Sequence, residues 1–181
     1  MTLDNSLYSR RSVRRFTPQP VARESVQALL ERAILAPSAS NLQSWRFVVV
    51  DDPPLLQRVR SFSPGIGGQP PCIVLFCLDA RLLPLNAAGV LNPSHAVLDL
   101  AMAAENFMLA AVERELGTCV VRSYHPQIVK KILGLPEYVL PEFLVTLGHP
   151  DQNPDMPRRR PLEAVVTYNK GWGEDADGAD I

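Results

Sequence analysis

Two stretches carry side chains whose types and spacing could do chemistry. The first is Ser9-Arg10-Arg11-Ser12-Val13-Arg14-Arg15-Phe16, with four arginines in six residues. Several fork-shaped guanidinium donors beside serine hydroxyls can converge on one phosphate. A solvated basic stretch has the same composition, so these residues taken alone leave both readings open. The second is Ala36-Pro37-Ser38-Ala39-Ser40-Asn41-Leu42-Gln43-Ser44-Trp45. Its small residues let backbone approach a flat ring, and its amides offer donors to ring heteroatoms. The alternative is an ordinary polar loop with Trp45 as a core anchor.

These stretches need elements to position them. Residues 22–35 carry Val26, Leu29, Leu30, Ala33 and Ile34 at helical spacing, and Pro37 ends that helix. Phe47 to Val50 is a short β-branched run before Asp51-Asp52-Pro53-Pro54, which predicts a strand and a turn. Leu55 to Phe62 predicts a short helix, Ser63 to Gly68 a flexible loop, and the apolar run Ile73 to Leu78 a buried central strand. Ser94 to Leu116 holds no helix breaker and would span roughly 35 Å. It is apolar nearly all round, so it must be buried on every face, either as a core helix or partly against a second subunit. Gly117 is expected to close it. Thr118 to Val121 predicts a strand, His125-Pro126 a helix start stopped by Gly134, and Phe143 to Leu147 another strand. Residues 149–161, rich in proline and arginine, predict an extended arm. Leu162 to Tyr168 predicts one more strand.

The whole chain narrows the function classes. Its 181 residues suit one domain, 1–173, with an acidic, Gly/Ala-rich tail at 174–181 expected to be disordered. The net charge of −1 argues against a general nucleic-acid or membrane binder, so any strong anion site needs local clustering of arginines. Cys72, Cys77 and Cys119 form no CxxC pair and read as buried thiols. His95, His125 and His149 are scattered singly, without metal-ligand spacing. No GxGxxG, P-loop, GxSxG or HExxH is found. The start Met1-Thr2-Leu3-Asp4-Asn5 carries no signal-peptide pattern, which makes the cytoplasm the expected location.

The two stretches, in this order and separated by one amphipathic helix, resemble the nitroreductase family of FMN-dependent oxidoreductases. That family opens with Arg-Arg-Ser-(Ile/Val)-Arg-x-Phe, matched by Arg10, Arg11, Ser12, Val13, Arg14 and Phe16. It continues with Ala-Pro-Ser-x-x-Asn-x-Gln-Pro-Trp, matched by Ala36, Pro37, Ser38, Asn41, Gln43 and Trp45. The resemblance runs on through the long helix with Asp99 and Asn106, Gly117-Thr118-Cys119, Val129 to Pro136, Leu147-Gly148-His149-Pro150 and Pro161-Leu162-Glu163, covering roughly residues 6–170. Ser44 stands in place of the family's proline, Val120 in place of an aromatic or proline, and Arg122 in place of a glycine or glutamate.

The resemblance implies an α+β fold. Its central, mostly antiparallel sheet is flanked by helices, with a long central helix and a C-terminal arm exchanged across a homodimer. It implies FMN as cofactor, with flavin sites at the subunit interface. Arg10, Arg11 and Ser12 would serve the phosphate and ribityl chain, and Arg14 the pyrimidine edge. Pro37, Ser38, Ala39 and Asn41 would come from the partner subunit. Gln69, Arg122 and Ser123 would lie beside the cofactor, and Arg158 and Arg160 would return to the phosphate. The activity implied is reduction of nitro- or quinone-like acceptors by NAD(P)H in a ping-pong cycle. The flavin carries the chemistry, so no catalytic residue or metal ligand is assigned to the protein. Two alternatives stay open: a flavin-binding protein without turnover, for storage, sensing or assembly, and a family member with flavin-dependent dehydrogenation chemistry.

Overall fold

The computed structural model describes residues 2–85, 89, 93–169 and 171. Strand β2 (Cys72–Asp79) is its centre, buried along its whole length. Side chains alternate across a strand, so an apolar run with no polar face must bury both sides. Cys72, Val74, Phe76 and Leu78 enter one apolar cluster, and Ile73, Leu75 and Cys77 enter a second on the opposite face. Burial pushes the Cys72 and Cys77 thiols up to about 12.

β2 pairs antiparallel with β1 (Trp45–Val50) on one side and with β4 (Val139–Gly148) on the other. β3 (Gly117–Val121) pairs antiparallel with β4, giving the order β1-β2-β4-β3. The four strands expected from the apolar runs at 47–50, 73–78, 118–121 and 143–147 are all present; β1, β2 and β3 are one or two residues longer, and β4 is twice as long. β4 tolerates Pro141 because the register shifts there, between Phe76 and Cys77 of β2. Phe76 anchors the first cluster, stacking on Phe143 at 5.1 Å and meeting Phe47 and Phe107 edge-on.

Helices α2 (Arg23–Ala33) and α4 (Ser94–Val112) cover the first face. Helices α3 (Pro53–Ser61) and α5 (Pro126–Ile132) serve the second. Asp52 starts α3, its carboxylate accepting from the Leu55 amide at 2.9 Å. Helix α1 (Leu3–Ser9) was not expected from the sequence: it has seven residues and buries only Ser6, too little for an apolar period.

Of the two readings of the long helix, burial wholly within one chain needs correction, and so do two further expectations. α4 buries Ala96, Leu100, Ala103, Ala104, Phe107 and others along one side, but Leu98, Ala101 and Met102 lie exposed, so one chain does not cover it all round. α4 stops at Val112 rather than Leu116; Glu115, at φ 56°, supplies the left-handed turn, and Gly117 already belongs to β3. Residues 162–168 form a single 3-10 turn (Leu162–Ala164) instead of a strand, and no strand among the described residues pairs with them. The tail at 174–181 lies outside the described residues.

Candidate functional site

The arginine segment runs extended along the free edge of β3. Ser12 bridges Thr118 in parallel, and the Val13 amide donates to the Thr118 carbonyl at 2.9 Å. Further on, Phe16 bridges Pro150, Thr17 donates to His149, and Asp151 donates to Arg15. Val13 and Phe16 point inward and are buried, while Ser12 and Arg14 face out. The apolar members of the motif seat the segment, and the polar ones are left for chemistry. Two glycines make the seat. A Cβ on Gly117 would stand 2.7 Å from Val13 Cγ1, and one on Gly148 would stand 2.8 Å from Phe16 Cδ1.

The arm at 149–161 is extended, as its prolines dictate, and folds back over this segment. Between them lies a cavity of about 290 Å³ lined by Arg10, Arg11, Ser12, Arg14, Pro154, Asp155, Pro157 and Arg159. The arm's arginine in this wall is Arg159; the anticipated Arg158 and Arg160 do not line it, and Arg160 Nη2 donates to the Ala164 carbonyl at 3.1 Å. Arg10 Nε sits 3.3 Å from Glu105 Oε1 on α4. Arg11 Nη1 donates back to the Tyr8 and Arg10 carbonyls at 2.7 and 2.8 Å. Its Nε is buried without a partner. A buried donor left unpaired costs about 1–3 kcal/mol.

A glycine loop joins the arginines to the Arg122–Ser123 segment. The Gly65 amide donates to the Ser123 carbonyl at 2.8 Å, and a Cβ on Gly65 would meet Val121 and Ser123. A Cβ on Gly67 would meet Arg14 Cβ at 2.9 Å. Gly68, at φ 62°, lies so close that a Cβ would stand 2.5 Å from the Arg14 carbonyl oxygen. This loop was expected to be flexible; its glycines instead permit close packing. Gln69 follows it, exposed, as are Arg122 and Ser123. Sequence reasoning missed Gly65, Gly67 and Gly68 as site-building residues, although three glycines in four positions was the available signal.

The second motif lies elsewhere. Residues 36–44 lead into β1, and Trp45 is buried in the first cluster. Ser40, Asn41 and Gln43 all take positive φ, at 50°, 55° and 49°. Ser38 Oγ accepts from the Gln43 amide at 3.1 Å, and Gln43 Nε2 donates to Asn41 Oδ1 at 3.0 Å. The Ala39 amide donates to Asp99 Oδ2 on α4 at 3.0 Å. The Ser44 carbonyl accepts from the Asp79 amide at 2.7 Å, tying the loop's end to β2. Asp79 is itself fully buried between Arg46 and Arg81, and hydrogen bonds from Arg81 hold its carboxyl at about 2. β1 and the arginine segment flank opposite edges of the sheet, four strand spacings or about 19 Å apart. One chain therefore brings Arg10, Arg11, Ser12, Arg14, Arg122 and Ser123 to one region, and Pro37, Ser38, Ala39 and Asn41 to another.

A larger cavity of about 390 Å³, between α2 and β1, is lined by Arg23, Val26, Gln27, Leu30, Val49 and Asp51. Its charges are already spent, because Arg23 grips Asp51 with two bonds of 2.6 and 2.9 Å. Convergent donors, rather than volume, mark the arginine cavity as the candidate site.

Comparison with known proteins identifies the family and the fold. The profile of the nitroreductase family matches residues 7–63 and 65–149. The FMN reductase [NAD(P)H] of Bacillus subtilis is 31% identical over 178 residues, covering 88% of this chain and 70% of that protein. The NADH dehydrogenase of Thermus thermophilus is 29% identical over 188 residues, covering 88% of this chain and 92% of that protein. Among solved structures, the NADPH:FMN oxidoreductase from Vibrio harveyi complexed with NAD+ superposes with a TM-score of 0.84. It is 26% identical, covering 97% of this chain and 80% of that one.

Proposed function

The chain belongs to the nitroreductase family of NAD(P)H–flavin oxidoreductases, and on that premise we propose that it holds FMN at a composite site in a homodimer. There it passes electrons from NAD(P)H to nitro- or quinone-like acceptors in a ping-pong cycle.

The arginine cavity carries this reading. Four arginines and Ser12 line it against a single carboxylate, Asp155. A phosphate dianion offers acceptors to all of them, each charge-assisted bond contributing about 1.5–3 kcal/mol. The volume of about 290 Å³ is just under the roughly 300 Å³ at which pockets begin to enclose a drug-sized ligand. It suits the phosphate end of the cofactor, not the ring. The ring would lie toward Gln69, Arg122 and Ser123, which the glycine loop brings next to Arg14. Arg14 would put positive charge at the pyrimidine edge, which favours reduction. Arg158 and Arg160 would extend the arm's positive charge around the phosphate.

The other half of the site comes from a second copy. The loop with Pro37, Ser38, Ala39 and Asn41 leads into the sheet edge opposite its own chain's arginines, so it would serve the second copy's flavin. Leu98 is 63% exposed on α4, with Met102 beside it, Leu3 and Leu7 on α1, and Leu35 after α2. A second copy covers this apolar surface. The arm beyond Leu162, which enters no strand among the described residues, would lie along it. Bound FMN supplies the hydride acceptance and electron delivery; the protein binds, orients and shields.

The test is the visible spectrum of purified protein, before and after anaerobic NAD(P)H. A yellow protein that bleaches, then regains colour with a quinone or nitroaromatic, is expected. Protein that stays colourless after incubation with FMN would sink the proposal. Protein that takes up FMN but never bleaches is a flavin holder without turnover.

A further inference from the structure

Resting on the composite flavin site, we propose that Asp99 is a positioning residue for the cofactor. Through its bond to the Ala39 amide it orients the loop at 38–43, whose left-handed shape its own bonds fix, toward the flavin.

Ser40, Asn41 and Gln43 occupy a backbone region that side-chain-bearing residues disfavour. Such a shape persists only where the surroundings over-determine it. Part of the restraint lies inside the loop: Asn41 donates to the Ser38 carbonyl at 2.9 Å, Leu42 to the Ala39 carbonyl at 3.1 Å, and Gln43 to Ser38 Oγ. These bonds fix the loop's shape but turn with it as a unit. Asp99 does something different. It sits on α4, only 5% exposed, and its Oδ2 accepts from the Ala39 amide at 3.0 Å. Ala39 opens the 3-10 turn Ala39–Asn41, so its amide has no acceptor within the turn. The bond therefore sets the loop's orientation against the body of the protein. A carboxyl as buried as this one costs free energy unless it is bonded, and the Ala39 amide supplies a bond to it.

The experiment uses the full chain. FMN affinity is titrated by flavin fluorescence for the native protein, Asp99→Ala and Asp99→Asn, and amide hydrogen exchange is followed at 38–43 without FMN. Asp99→Ala is expected to weaken FMN on the order of tenfold to a hundredfold and to speed exchange in the loop. Asp99→Asn keeps an acceptor oxygen and should stay within about fivefold of native. Ala39→Pro removes the same bond from the loop side and covers the case in which Asp99→Ala does not fold. Ser38, at φ −139° and ψ 148°, already has the extended backbone a following proline requires, and proline fits the first position of a helical turn. The double variant should bind no worse than the weaker single one. Native affinity in both Asp99→Ala and Ala39→Pro overturns the proposal, as does equal weakening by Ala and Asn with loop exchange unchanged. Absence of FMN binding by the native protein overturns the flavin reading itself, and with it the role of Asp99, so the two failures are told apart by the native titration.

Discussion

At the β3 edge, residues 10–17 run extended, bonded backbone to backbone with Thr118, His149 and Asp151, over glycines that admit no side chain. At the β1 edge, residues 38–43 curl through three left-handed positions that lack glycine, held by Ser38, Gln43 and Asp99. The first segment is specified by space, because a neighbour's missing Cβ decides where it lies. The second is specified by side-chain bonds that offset an unfavourable backbone. A site made of both combines a rigid anion seat with a loop that its anchors can tune.

Adding or removing a Cβ should therefore have opposite signs at the two edges. The largest effect is expected at Gly68→Ala, which adds left-handed strain and a clash with the Arg14 carbonyl. A loss of about 2–4 kcal/mol in chemical denaturation follows; a loss under about 0.5 kcal/mol would mean the contact with Arg14 relaxes freely. Arg10→Ala removes a phosphate donor without touching the seat. FMN affinity should fall about tenfold to a hundredfold, with the dimer intact by sedimentation. Dimer loss with flavin retained would reverse that division of roles. In acid, the ion pairs of the Asp79 carboxylate with Arg46 and Arg81 should fail next. The folded carboxyl is held at about 2 against an ordinary value of 3.8, so its contribution is full above that ordinary value and is lost as pH falls through about 2. Asp79→Asn should flatten the acid limb of a stability–pH curve; an unchanged limb would exclude Asp79 as its source. The smallest effect is expected at Ser40→Gly, which relieves the left-handed strain at φ 50°. A gain of at most about 1 kcal/mol, net of glycine's extra chain entropy, should show as a small rise in Tm.

What the sequence disclosed follows the same division. Strand β2 was legible because a six-residue apolar run has few other fates, and α2 because its apolar residues recur at helical spacing. The motif residues were legible by resemblance, and Val13 and Phe16 within the motif now explain themselves as its seat. The packing role of Gly65 to Gly68 was not legible, since glycine reads equally as freedom and as close approach. The substitution of Arg159 for its neighbours in the cavity wall depends on the twist of an extended arm, which no periodicity encodes. α1 escaped because one buried residue in seven makes no pattern. The exposure of Leu98 and Met102 could not be read from an all-apolar helix, which looks the same whether its cover comes from its own chain or another.

The sheet's central thiols bear on durability. Cys72 and Cys77 are sealed in β2 with their ionisation pushed up to about 12. Thiolate is the form that alkylating agents and peroxides attack, and at neutral pH almost none of it exists there. These two cysteines should stay chemically silent beside an oxidation–reduction site, unlabelled by iodoacetamide until the chain unfolds. Their labelling then serves as a clock for global opening.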